Sequence, residues 1–154
     1  MSALPQAAAA VAEREFFAGA PDARLHVKIW TPDATRGAPI LLFHDSLGCT
    51  TLWRGFPAAL ASTTGRAVIG YDRLGFGKSD PRHDVLPVDF VAREGREVAP
   101  LVLDAAGAGR FVALGHSVGG GMAAEAGAAA GDRCEAVISV SALAFVDERG
   151  RAGI

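Results

Sequence analysis

The chain has 154 residues, half of them hydrophobic, with 15 basic and 17 acidic side chains and a net charge of −2. That length builds one domain with a sizeable core, and the composition excludes a disordered chain. The Lys and Arg residues are scattered, with no basic run and no aromatic interleaving, which argues against a nucleic-acid partner.

Residues 1–12 read as an Ala-rich tail and residues 13–154 as a single domain. Met1 to Ala12 has no basic start, and Glu13, Arg14 and Glu15 follow at once, a poor match to a secretory signal. No apolar stretch approaches the ~20 residues of a membrane span, so the expectation is a cytoplasmic chain without a membrane partner. Next come Glu15–Phe17 and Arg24–Trp30, separated by Gly19-Ala20-Pro21-Asp22; they read as an antiparallel hairpin. In the second segment Leu25, Val27 and Ile29 alternate with Arg24, His26, Lys28 and Trp30, the pattern of a sheet edge with one buried face.

The character then changes. Pro39–Phe43, Ala67–Tyr71, Phe111–Leu114 and Ala136–Val140 are short, continuously apolar runs, suited to parallel strands buried on both faces. Helical segments separate them: Thr51–Thr63, Asp89–Ala106 with Pro100 expected to kink or split it, and Ser117–Ala130, dominated by Ala and Gly. Strand–helix–strand alternation predicts an open α/β sheet with right-handed crossovers. Only residues 142–154 follow the last strand, with no evident closing helix, so the sheet reads as truncated after about its sixth strand. Cys49 and Cys134 lie far apart with no metal-ligand spacing; one disulfide is arithmetically open, and free thiols acting as small hydrophobes are the preferred reading.

Gly115-His116-Ser117-Val118-Gly119 matches G-x-S-x-G. In a chain with 19 glycines the pattern alone is weak, but a buried-strand run precedes it and a small-residue helix follows. A serine on such a strand-to-helix turn projects its hydroxyl above the strand end, and side chains at the flanking glycines would collide with the turn. The helix N-terminus then favours negative charge developing beside the hydroxyl. Two loops follow the neighbouring strands. His44-Asp45-Ser46-Leu47-Gly48 is placed to aim backbone N–H groups at an oxyanion. In Tyr71–Asp80 the glycines permit a compact turn whose backbone donors Asp72 can satisfy.

Taken together, LLFHDSLG, YDRLGFGKSD and GHSVGG, in this order, resemble the α/β-hydrolase superfamily, most closely its serine esterase, lipase and peroxidase-like members. The resemblance covers the chain from about Glu13 onward. It implies a mostly parallel sheet with flanking helices and an N-terminal antiparallel hairpin. It gives Ser117 the nucleophile position and the Val118 N–H one oxyanion-hole position. Ser46 matches the residue that supplies the second N–H, although Asp45 stands where the family has Gly. Gly115, His116 and Gly119 match the elbow and His44 a loop-supporting histidine; Asp72, Gly75, Gly77 and Ser79 match a structural turn. A serine at the elbow, where dehalogenases and many epoxide hydrolases carry Asp, implies acyl transfer with no metal or organic cofactor.

The family's triad runs in the order Ser, acid, His, yet all four histidines, His26, His44, His83 and His116, precede Ser117 or stand beside it. His116 is expected to point away from the serine hydroxyl. Asp147 is the acid nearest a place where some relatives keep theirs, although others begin a cap there. Three explanations stay open: a partial gene product, which is favoured; a non-catalytic scaffold; or an upstream base such as His83. The expected function is therefore a carboxylesterase-like serine hydrolase acting through an acyl-enzyme on a small or medium ester or related acyl substrate. A silent fragment or scaffold, and a perhydrolase or lyase on the same serine, are the alternatives. An unfinished sheet edge would favour self-association.

Overall fold

The computed structural model describes residues 10–142. Six strands form one sheet: β1 (Val11–Ala18), β2 (Leu25–Pro32), β3 (Ile40–Phe43), β4 (Val68–Tyr71), β5 (Phe111–His116) and β6 (Cys134–Val140), in the order β1-β2-β4-β3-β5-β6. β1 pairs antiparallel with β2, and β2 antiparallel with β4. From β4 onward every pairing is parallel, β4 to β3, β3 to β5 and β5 to β6. This is the mostly parallel sheet with an antiparallel hairpin that the sequence predicts.

The apolar runs of β3 and β4 exist because the sheet is covered on both faces. Side chains alternate across a strand, so Leu41 and Phe43 enter one core and Ile40 and Leu42 the other. On the first face they meet α3 (Ala99–Ala106) and α4 (Val118–Ala130) through Val102, Leu103, Met122 and Ala126. On the second they meet α1 (Phe56–Thr64) through Ala58, Leu60 and Ala61. Burying each such side chain is worth roughly 1.5–3 kcal/mol.

Several boundaries differ from the sequence reading. β1 begins at Val11, inside the segment read as a tail. β2 is an interior strand, not an edge, and its second face is also buried: His26 and Trp30 are each only 2% exposed. Their polar atoms are satisfied by groups distant in sequence. Trp30 Nε1 donates to Glu13, while His26 lies between Glu15 (Nε2, 3.0 Å) and Asp72 (Nδ1, 3.1 Å). β6 has the expected apolar composition but not the expected burial, with Val137, Ile138 and Val140 each about 43–44% exposed. Among the described residues it pairs on one side only, with β5, and carries a helix on one face.

The segment 51–63 is interrupted. A 3₁₀ turn over Thr50–Trp53 precedes α1, and Arg54, with φ 52°, makes the break. The segment 89–106 is divided just before Pro100. α2 (Phe90–Arg93) passes through a π-helical turn, Glu94–Val98, into α3, and Pro100, which has no N–H to donate, lies in the first turn of α3. At the π turn Gly95 lies against the backbone of α4, where a Cβ would meet Ala126 N and Met122 O at 2.6 Å. Cys49 and Cys134 are both free thiols.

Glu15 anchors the hairpin to the turn after β4. Hydrogen bonds from Lys78 and His26 hold its carboxyl down at about 2, against an ordinary value of 4.5. A depressed carboxyl contributes stability that is complete above the unfolded value and lost as pH falls through the folded one. Glu15→Gln is therefore expected to unfold more easily at neutral pH and to show a flatter pH dependence between 4.5 and 2. Urea midpoints across that range check this; parallel curves for the two proteins would refute it.

Candidate active site

The turn between β5 and α4 is built by two close approaches. A Cβ on Gly115 would run into the carbonyl of Gly119, and one on Gly119 would run into the carbonyl oxygens of Phe43 and His44 at the end of β3. Only glycine permits both contacts. They seat the first turn of α4 directly on the strand that leads into the loop 44–48. Between them Ser117 takes φ 55° and ψ −126°, a conformation that side-chain-bearing residues rarely adopt. Its N–H donates to Val140 O at 2.9 Å, and its carbonyl accepts from Gly120 N at 2.9 Å. The end of β6 and the start of α4 thus hold the strained residue from both sides. Arg54 has the same backbone angles, so the strain alone does not mark a nucleophile.

What distinguishes Ser117 is its surroundings. It lines an open groove of about 240 Å³ with Asp45, Ser46, Leu47 and His116. A larger cavity of about 560 Å³ lies at the opposite end of the sheet, lined by Pro39, Ala67 and Gly109 among others. Ligands of open α/β sheets bind outside the carboxyl ends of the strands, so the smaller groove is the candidate site. Val118 opens α4, and the N–H groups of a helix's first turn have no intrahelical acceptor. The sequence-predicted residues Ser117, Ser46, His116, Gly115 and Gly119 are thus brought together, with His44 beneath them. Asp147 lies outside the described residues.

His44 is 2% exposed and makes two hydrogen bonds. The Arg73 N–H donates to its Nε2 at 3.1 Å, which leaves Nδ1 as the donor to Asp45 O at 2.8 Å. Burial, reinforced by the Arg73 charge, lowers its pKa to about 4, so at neutral pH it is an uncharged spacer inside the loop. His116 also lines the groove, with Nδ1 3.9 Å from Asp45 Oδ2 and no hydrogen bond to the serine hydroxyl. That spacing is longer than a hydrogen bond. His83 is exposed and absent from the groove lining. No base is hydrogen-bonded to Ser117 among the described residues.

Two features were not legible in the sequence. Asp45 is used as a turn former, its Oδ1 accepting from Leu47 N at 3.1 Å. Arg73 is 4% exposed, its guanidinium directed at the backbone of the loop 44–48 and lying over the Phe76 ring at 4.3 Å. Its position between a buried strand end and a glycine turn was the available signal. Behind it Tyr71 donates to Glu94 Oε1 at 2.9 Å, and burial raises the Glu94 carboxyl above its ordinary range. Among the described residues no group of three or more His, Cys, Asp or Glu is placed to hold a metal ion, and no helix is long and apolar enough to cross a membrane.

A family model described as alpha/beta hydrolase fold matches residues 38–152. Among solved structures the chain is similar to proline iminopeptidase from Mycobacterium smegmatis, with a TM-score of 0.63 and 31% identity over 73% of this chain and 38% of that one. It is also similar to a predicted CIB-like hydrolase from Thermoplasma acidophilum, with a TM-score of 0.61 and 27% identity over 77% of this chain and 57% of that one. Carboxylesterase CesB from Bacillus subtilis shares the fold, with a TM-score of 0.64 and 22% identity over 84% of this chain and 44% of that one. The chain spans less than two thirds of each of these proteins. No curated protein matches it in sequence.

Gly119→Ala is expected to destabilise by roughly 1–3 kcal/mol, because the added methyl meets backbone oxygens that cannot move cheaply. Gly121→Ala, whose Cβ would meet only the side chain of Val91 at 3.1 Å, is expected to be tolerated. Urea midpoints of the pair test this, and equal midpoints would contradict it. For His44, folded near 4 against an ordinary 6.5, stability is complete above 6.5 and lost as pH falls through 4, an amount of roughly 3 kcal/mol. His44→Phe should remove that loss while lowering stability at pH 7, since the Arg73 N–H loses its acceptor. Denaturation between pH 7 and 4 reads both effects.

Proposed function

The chain belongs to the α/β-hydrolase fold family, and from that premise we propose that it is the nucleophile-bearing part of a carboxylesterase-like serine hydrolase. The carrying observation is Ser117 itself, held at φ 55° on the strand-to-helix turn and lining a groove with Ser46. In this reading the Ser117 Oγ attacks the carbonyl carbon of an ester or related acyl substrate. The electron pair of the C=O bond moves to oxygen, where the N–H groups of Val118 and Ser46 stabilise it. Collapse of the tetrahedral species expels the alcohol and leaves an acyl-enzyme, which water then hydrolyses.

The proton of the Ser117 hydroxyl needs an acceptor. His44 is uncharged but has both ring nitrogens engaged, and His116 and His83 make no hydrogen bond to the serine. The base and its acid are therefore assigned to a part of the protein beyond these residues, with Asp147 retained as a candidate acid. The substrate is a small acyl compound, and the setting proposed is the cytoplasm. That no base is hydrogen-bonded to Ser117 among the described residues favours one alternative, a catalytically silent scaffold.

An exogenous base separates the two. Incubated with a fluorophosphonate and tens of millimolar imidazole, the chain is expected to be phosphonylated on Ser117. The serine O–P bond forms, fluoride leaves, and the proton passes to imidazole. The labelling rate should rise with imidazole, and Ser117→Ala should remove the modified peptide from the mass spectrum. A folded chain whose Ser117 stays unmodified would refute the nucleophile reading and favour the scaffold.

A further inference from the structure

We infer that Arg73 is a positioning residue for the Ser46 amide: it grips the carbonyl side of the Asp45–Ser46 peptide and thereby aims the N–H on the other side into the groove beside Ser117. The functional meaning of this arrangement rests on the oxyanion role proposed for that amide; the geometry does not.

Arg73 Nη2 donates to Asp45 O at 2.8 Å and to Ser46 O at 3.0 Å. The backbone N–H of the same residue donates to His44 Nε2, which fixes the His44 tautomer whose Nδ1–H donates to Asp45 O at 2.8 Å. Gly48 N adds a weaker bond to the same carbonyl at 3.3 Å. Asp45 O is thus held by three donors, and Arg73 supplies one directly and sets up another. The described chain has no cis peptide. In a trans peptide the C=O and the following N–H point to opposite sides of one rigid plane. Fixing Asp45 O therefore fixes the direction of Ser46 N–H. Among the described residues that N–H donates to no backbone or side-chain acceptor, and Ser46 lines the groove with Ser117.

The residue is costly for a mere loop tie. Its guanidinium is buried and, among the described residues, makes no hydrogen bond to a carboxylate and leaves Nε buried without a partner. Its face is spent on Phe76, at 4.3 Å, so the fork cannot swing away from the loop. Both bonds come from the one Nη2, whose two N–H groups are fixed in the guanidinium plane, whereas the N–H groups of an ammonium rotate freely. A peptide whose carbonyl is bonded by a cation also donates more strongly through its own N–H, since aligned hydrogen bonds polarise one another.

Two readouts on Arg73→Met and Arg73→Lys test this. In ¹⁵N relaxation, Arg73→Met is expected to loosen the Ser46 amide while Val118, on α4, stays as rigid as in the wild type. In the imidazole-supported phosphonylation of Ser117, Arg73→Met should slow labelling by about tenfold or more. Arg73→Lys, which keeps the charge and one donor, should recover part of both. An equally rigid Ser46 amide in Arg73→Met overturns the inference. So does an unchanged labelling rate where the wild type labels measurably. Should Arg73→Met not fold, Arg73→Lys carries the same comparison, and wild-type values in both readouts would refute the role. If the wild-type chain is not labelled but Ser46 loosens in the variant, the nucleophile reading fails and the positioning role stands.

Discussion

The closeness with which α4 meets the sheet is the constraint on which the rest depends. Gly119 lies against the carbonyls of Phe43 and His44, and Gly115 against the carbonyl of Gly119. Two side-chain-free positions therefore set three distances together: strand β5 to its helix, helix to β3, and serine turn to the loop 44–48. The strained backbone of Ser117 follows, because a chain turning that tightly from strand into helix has few other conformations open to it. Packing of Met122, Ala123 and Ala126 in the core keeps the helix from relaxing outward. The local strain is thus maintained by burial elsewhere, and the site inherits its rigidity from the core.

A second constraint works on the turn after β4. Asp72 is fully buried, accepts from Thr50 N and from Lys78 N at 2.9 Å, and lies 3.1 Å from His26 Nδ1. One carboxylate therefore joins the hairpin, the segment after the loop 44–48 and the glycine turn. Gly77 is required there, because a Cβ would overlap the Asp72 carboxylate. Arg73 then emerges from this fixed point already directed at the loop 44–48. Adjacent residues divide the work: the acid closes the turn on itself, and the cation ties it to its neighbour.

Much of this was legible in the sequence, for identifiable reasons. β3, β4 and β5 announce themselves because a strand covered on both faces has no polar alternation to confuse it. The serine turn is legible because Gly115 is demanded by a contact close in sequence, with Gly119, although Gly119 itself answers to the distant end of β3. β2 was misread because His26 and Trp30 look like solvent-facing residues until their partners, Glu15, Asp72 and Glu13, are brought in by strand pairing and the turn after β4. β6 shows the reverse: its composition is that of a buried strand, but burial is a property of neighbours, and among the described residues these lie on one side only. The π turn at Glu94–Val98 leaves no periodic signature, since one widened turn shifts the helical phase too little to read. Arg73 was missed because a lone arginine in a glycine-rich turn ordinarily reads as solvated.

The neutral state of His44 bears on how such a site divides its labour. A histidine beneath the loop could complicate the electrostatics if it titrated near neutrality, but its pKa near 4 leaves it uncharged. Arg73 is then the permanent charge in contact with the carbonyl side of the loop, while Asp45 lies half-buried beside the groove. Under the proposed chemistry, negative charge appears on the substrate only in the transition state. A cation held behind the peptide, with the N–H in front, favours that charge without reaching the substrate itself. Such preorganisation needs rigid backbone, and β3, β5 and α4 supply it within these residues. A proton acceptor needs only to reach the serine hydroxyl from outside the groove, so it can be carried by another part of the chain. In the proposed reading, Ser117 and the Val118 and Ser46 amides are inseparable in this architecture; the base is not.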